Sequence, residues 1–361
     1  MLNLTKTLVA ALALTGLAAS TPVSLAKRLP GRVAKAGEPV VVDANSHYLR
    51  VSAMNDGSLI GGYGTTEGST KILRVVRSTD GAQSWQRIGE VFRGDVAAHD
   101  IDNAFPLQLP GGRVLYAYRD HDRAGGQFTR YRITVCYSDD GGKTWKYLST
   151  AVQRAAAGVN GLWEPFLRLA KDGTVQLYYS AENADNDQDN FMRYSKDGGQ
   201  TWSNPIPVSG SDRVSRDGMV GVAPIDDNGN LIAVLEHTTT GGFNVDYVIS
   251  HDDGYSWAER GSLYTARNGK ASGAPQVYNV GGTLVASFMT NEDVDPRGGY
   301  NFGQMKVVTS VDGGKSWSGS VVTGEAEAHW PGLFNRDAAH FLALYSREGL
   351  GLVSQLYELQ D

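Results

Sequence analysis

Two glutamates stand where a carboxylate has no evident structural task. Glu236 ends the apolar run Leu231-Ile232-Ala233-Val234-Leu235, and Glu164 lies between bulky apolar neighbours in Gly161-Leu162-Trp163-Glu164-Pro165-Phe166. Two carboxylates aimed at one pocket are what glycoside cleavage needs. One protonates the leaving oxygen, while the other attacks the anomeric carbon or activates water. An apolar wall such as Trp163 or Leu235 raises the pKa of one member and keeps it as the acid. The plainer alternative is that each glutamate pairs with a nearby arginine.

The elements that must position this pair come from a repeat. The pattern Ser-x-Asp-x-Gly-x-Ser/Thr-Trp recurs at Ser78–Trp85, Ser138–Trp145, Ser195–Trp202, Ser250–Trp257 and Ser310–Trp317, with Ala82 replacing a glycine in the first copy. The tryptophans lie 60, 57, 55 and 60 positions apart, a period that signals a repeat architecture. The aspartate folds onto backbone N–H groups, the glycine supplies a positive φ, and the tryptophan packs between repeats. Beside these boxes an apolar strand, a Gly or Asp-Gly turn and a second apolar strand recur six times, from Leu49–Tyr63 to Trp330–Ser346. Six hairpins and five boxes fit an all-β, six-bladed β-propeller of four-stranded antiparallel blades. The boxes then join strand three to strand four. Leu350–Leu359 forms the third strand of the last blade, and Glu38–Asp43 closes the ring as its fourth.

In such a blade the starts of the first strands, the ends of the second strands and the two-to-three loops share one face, opposite the boxes. The expected long loops there are 120–129, 181–190, 237–244 and 290–303. Counting five residues along each second strand aligns Gly64, Arg119, Ser180, Glu236, Met289 and Ser346. The first strands bring Tyr48, Asn103, Glu164, Gly273 and Trp330 to comparable places. Arg119, Arg216 and Asp217 are candidates to orient substrate hydroxyls, and Asp102 and Asn103 to hydrogen-bond a terminal sugar. Trp163, Tyr179 and Trp330 are candidates to stack on sugar faces. His99 and His121 receive no task.

The 361-residue chain is 41% hydrophobic and 20% charged with a net charge of −6, as expected of a soluble protein that does not bind nucleic acid. Residues 1–28 combine Lys6, the apolar run Leu8–Ala18 and the dibasic Lys27-Arg28, which is the pattern of a secretory leader and not of a membrane span. The expectation is therefore a secreted, monomeric, single-domain propeller over residues 29–361. Cys136 is the only cysteine and falls in an apolar strand, so it is expected in the core. Asp185-Asn186-Asp187-Gln188-Asp189 opens like a calcium loop but has Asn190 and Lys196 where glycine and glutamate belong. No metal and no cofactor is expected.

The boxes resemble those of the sialidase-like propellers. Trp163-Glu164-Pro165-Phe166, the run Asn103 to Arg113 (NAFPLQLPGGR) and Ser215-Arg216-Asp217-Gly218-Met219 are more specific. They resemble motifs of the fungal exo-arabinanases of glycoside hydrolase family 93. That resemblance implies a retaining enzyme that releases arabinobiose from the non-reducing end of linear α-1,5-arabinan. It implies a catalytic pair at Glu164 (acid/base) and Glu236 (nucleophile), and a tyrosine beside them. Tyr345 is the candidate tyrosine, although strict strand alternation turns it away from Glu236 unless a bulge intervenes. Two readings compete. A sialidase would bring Arg50, Arg119 and Arg347 together as a carboxylate clamp, and a non-catalytic glycan-binding propeller would need no carboxylate pair at all.

Overall fold

The computed structural model describes residues 32–294 and 299–360. The leader expected over residues 1–28 lies outside the described residues. Six antiparallel sheets form the blades, and the first five run in chain order from an inner to an outer strand. The inner strands are Ser46–Ala53, His99–Gln108, Leu162–Leu169, Gly218–Pro224, Ser272–Val280 and Ala328–Asn335, in blades 1 to 6. Alternate residues of each blade face its neighbours, so the core lies between blades. Phe105, Phe166 and Tyr178, for instance, belong to one cluster that spans blades 2 to 4. Cys136 is buried in another, as expected.

Ring closure follows the expected route and adds a strand. Val40–Asp43 pairs with the third strand of blade 6 (Gly351–Gln360), and Arg32–Lys35 pairs further along the same strand. Two short N-terminal strands therefore cover an edge that would otherwise expose unpaired backbone groups.

The boxes are scaffold. In the second copy Asp140 accepts hydrogen bonds from the Thr144 hydroxyl (2.6 Å), the Thr144 amide (2.9 Å) and the Ser138 hydroxyl (2.7 Å). These donors hold the Asp140 carboxyl well below the usual carboxylate range, despite a small opposing effect of burial. The tryptophans differ in partner. Trp145 and Trp257 donate to carbonyls within their own boxes, while Trp85 and Trp202 donate to Ser354 and Ser149 in other blades.

Two expected loops are strands. In blade 2 the second strand runs to Ala124 and the third starts at Gln127. Gly125 and Gly126, both at positive φ, form the two-residue turn. In blade 3 the same hairpin extension turns at Asp185 and Asn186. There Asp187 and Asp189 both accept hydrogen bonds from the Asn183 amide. The segment that opens like a calcium loop is thus a hairpin tip.

Each inner strand carries one bulge. The register with the second strand shifts between His47 and Arg50, Asp102 and Phe105, Trp163 and Phe166, Gly218 and Gly221, Gly273 and Gln276, and His329 and Gly332. Within these bulges Tyr48, Asn103, Glu164, Met219, Ala274 and Trp330 have φ between 44° and 64°. A left-handed conformation costs a non-glycine residue about 1–2 kcal/mol, so six equivalent cases mark a shared device. The bulge re-aims one side chain per blade at the same level of the ring. In blade 5 this residue is Ala274 and not Gly273, and in blade 4 it is Met219.

Candidate active site

The bulged residues gather at the axis. Tyr48, Met219 and Ala274 share one apolar cluster with Met289, and Tyr300 and Trp330 pack against it. Glu164 and Asn103 are the polar members of the ring of six. Glu164 Oε2 and Asn103 Oδ1 are buried and have no hydrogen-bond partner among the described residues. Unpaired buried acceptors are costly, and both of these belong to the ring of bulged residues.

Glu236 reaches the same place from the second strand of blade 4 (Leu231–His237). It is 8% exposed, and its Oε2 accepts a hydrogen bond of 2.7 Å from the amide of Ala274 in blade 5. The interaction repeats around the ring. The amide of Met219 donates to Ser180 Oγ (3.2 Å), and that of Tyr48 to Ser346 Oγ (3.2 Å). Ser180, Glu236 and Ser346 are the aligned second-strand ends, so each meets the bulge of the next blade. Blade 1 has Gly64 at this position. The carboxylate of Asp102 fills its place, 2.7 Å from where a Cβ would be, and accepts the Asn103 amide. Glycine on either side makes room for Glu236: a Cβ on Gly273 would lie 2.6 Å from Oε2, and one on Gly218 3.4 Å from Oε1.

Both glutamates hold protons more tightly than ordinary carboxyls. Burial first, and then the charge of Glu236, push Glu164 up to about 8. Burial pushes Glu236 up to about 7, opposed by the Ala274 amide, Arg216 and His237. Neither glutamate forms an ion pair with an arginine among the described residues. The charge of one disfavours ionisation of the other, so the pair gives up its first proton more readily than its second.

Sequence reasoning missed Tyr300. A Cβ on Gly273 would lie 3.1 Å from its ring as well as against Glu236. Burial and the charges of Glu236 and Glu164 all disfavour its ionisation, and Phe243 stacks on it at 5.5 Å. It sits in the short 3-10 helix Gly299–Phe302, between the second and third strands of blade 5, with no flanking motif to single it out. Tyr345 is a correction. No bulge interrupts its strand, so alternation holds, and the ring packs with Val280, Met305 and Val353 between blades.

The remaining candidates divide. Trp163 is half-buried between Arg119, 5.0 Å above its ring, and His121, whose Nε2–H donates to Leu162 O across the blade boundary. Trp330 tilts against Tyr48 at 6.3 Å and lines a cavity of about 680 Å³ between blades 6 and 1, with His47, His329 and Arg347. Asp102 is an internal anion. Burial would raise its pKa, but His47, Arg119 and Lys71 hold it far below the usual range. Arg216 lies near Glu236 but is bound to Glu182 (2.7 Å), Gln188 and the Asp185 carbonyl. Two candidates are displaced from the pocket. Asp217 is 0% exposed and locked to Arg260, and Tyr179 is a core residue stacked on Phe191.

The three arginines of the clamp reading have separate surroundings. Arg50, 2% exposed, lies 3.9 Å from the Tyr48 ring and donates to Leu49 O. Arg119 pairs with Asp100, and Arg347 lines the cavity between blades 6 and 1.

Comparison with known proteins agrees with the architecture. A BNR repeat-like domain matches residues 147–324, and a BNR/Asp-box repeat matches residues 137–147. No curated protein sequence matches the chain. Among solved structures, the α-L-arabinanase of Penicillium chrysogenum complexed with arabinobiose is 18% identical, with a TM-score of 0.70 over 91% of this chain and 98% of that one. The GH93 α-L-arabinofuranosidase of Fusarium graminearum with arabinobiose is 20% identical, with a TM-score of 0.67 over 92% and 98%. The NanB sialidase of Streptococcus pneumoniae is 9% identical, with a TM-score of 0.60 over 92% and 71%. The fold is the sialidase-like six-bladed propeller, and the chain resembles glycoside hydrolase family 93 by architecture as well as by motif.

Proposed function

We propose that the chain is a glycosidase of arabinan, acting on linear α-1,5-arabinan from the non-reducing end with retention and releasing arabinobiose. The observation that carries this reading is the pair Glu164 and Glu236, two carboxyls from adjacent blades that interact at the axis, each holding its proton more tightly than an ordinary carboxyl. Glu164 protonates the leaving oxygen as Glu236 attacks the anomeric carbon. Glu164 then takes a proton from the water that releases the sugar. The Ala274 amide orients Glu236, and Asn103, Trp163 and Trp330 offer contacts to the sugar. The family motifs and the arabinobiose held by two proteins of the same fold support the substrate. The leader pattern supports secretion. The sealing of Arg50 beneath Tyr48 weighs against a carboxylate clamp.

The test is incubation with linear arabinan and, separately, with a sialyl-oligosaccharide, reading products by chromatography. Arabinobiose as the first and main product is expected. Sialic acid release, or a ladder of long arabino-oligosaccharides, overturns the proposal.

A further inference from the structure

Blade 2 carries a second cluster of ligating side chains, on the strands that bear Asp102 and Arg119 but apart from the glutamate pair. Asp120 and Asp122 stand two residues apart on the strand Val114–Ala124, so they share a face. His99 is the direct cross-strand partner of Asp122. One ligand atom from each of the three residues lies within 4.8 Å of the others.

The cluster leaves ligand atoms unused. Asp120 is 7% exposed, and its Oδ1 has no partner, whereas its Oδ2 accepts from Thr134 (2.9 Å) and Arg132 (3.3 Å). His99 Nδ1 is likewise buried and without a hydrogen bond. Arg132 donates to Asp122 Oδ1 at 2.6 Å, leaving its second oxygen for another partner. Phe92 meets the imidazole edge-on at 5.3 Å and walls the cluster on the side of blade 1. A buried carboxylate oxygen and an imidazole nitrogen without hydrogen-bond partners, the nitrogen 3.8 Å from Asp122 Oδ1, form an arrangement that a cation completes.

We propose that His99, Asp120 and Asp122 bind a divalent transition cation of the zinc class. One imidazole nitrogen and two carboxylate oxygens suit zinc, whereas calcium and magnesium take all-oxygen sets. Arg132 hydrogen-bonds both carboxylates from outside the donor set and so orients them. Tetrahedral zinc ligands lie about 3.3–3.5 Å apart, so small side-chain rotations close the site. The cation clips the start of the first strand of blade 2 to the end of the second, at the face that carries the pocket.

The test is calorimetric titration of chelator-treated full-length protein with zinc chloride at neutral pH, alongside His99→Ala, Asp120→Asn and Asp122→Asn. One equivalent of zinc is expected, with affinity reduced at least about 100-fold in each variant. Melting curves without zinc establish that each variant folds. Asp122→Asn, an isosteric change at a half-buried position, is the variant least exposed to misfolding. No binding up to millimolar zinc overturns the site, as does equal affinity in the wild type and a folded variant.

Discussion

The carboxylate of Glu236 is held by the amide of Ala274, a residue of the next blade, at 2.7 Å. Ala274 exposes this amide because its backbone is left-handed, φ 52°. The glycine before it, Gly273, is what lets the carboxylate approach. Gly273→Ala puts a methyl 2.6 Å from Glu236 Oε2, at a backbone conformation that alanine adopts freely. The variant should fold normally and lose about 100-fold in kcat/KM, the scale of a 1 Å misplacement. Wild-type kinetics in this variant would mean that the position of Glu236 is not critical.

The two raised pKa values predict a bell-shaped profile for kcat/KM. Activity needs Glu236 ionised and Glu164 protonated, so Glu236 limits the acid side and Glu164 the alkaline side. Both limbs should lie above the ordinary carboxylate range. With an aryl arabinoside whose leaving group needs no protonation, Glu164→Gln should remove the alkaline limb and leave the acid limb. An alkaline limb that persists in Glu164→Gln assigns it to another group.

The same groups make stability depend on pH. Each carboxyl has a folded pKa above its unfolded value of 4.5, so the folded state binds protons more tightly. Their contribution is complete below about pH 4.5 and is lost as pH rises through the folded values near 7 and 8. Thermal melts should therefore show Glu164→Gln gaining Tm on the wild type between pH 6 and 9, by about 2–5 °C, with no gain at pH 4.5. A gain that is equal at all pH values would remove ionisation as its cause.

The boxes should contribute to stability and not to turnover. Asp140→Ala removes four hydrogen bonds at the face opposite the candidate site. Its expected effect is a Tm lower by about 1–3 °C with kcat unchanged. A large fall in kcat with an intact fold would contradict a scaffold role.

Much of this arrangement was legible before the structure. Box spacing and hairpin count gave the ring, and the five-residue count along the second strands aligned Ser180, Glu236 and Ser346, which meet the next blade in the same way. The bulges were not legible, because Tyr48, Glu164, Met219 and Trp330 are not residue types that announce a positive φ. The hairpin extensions around Gly125-Gly126 and Asp185-Asn186 were mistaken for loops because their residues are polar. Burial against other blades explains why Tyr179 and Asp217 left the pocket: the strand pattern gives the face of a blade but not what covers it. Tyr300 reaches the glutamates from a single four-residue 3-10 turn, too short to leave a period to read.

The most direct measurement is azide rescue of Glu164→Ala and Glu236→Ala on an activated aryl arabinobioside, with the anomeric configuration of the glycosyl azide read by NMR. Glu164→Ala should give the azide of retained configuration, because Glu236 still forms the glycosyl-enzyme and azide replaces it. Glu236→Ala should give the inverted azide, because azide takes the place of the missing carboxylate. Exchanged configurations would reverse the two roles, and near-wild-type cleavage of linear arabinan by both variants would contradict the pair as the catalytic centre.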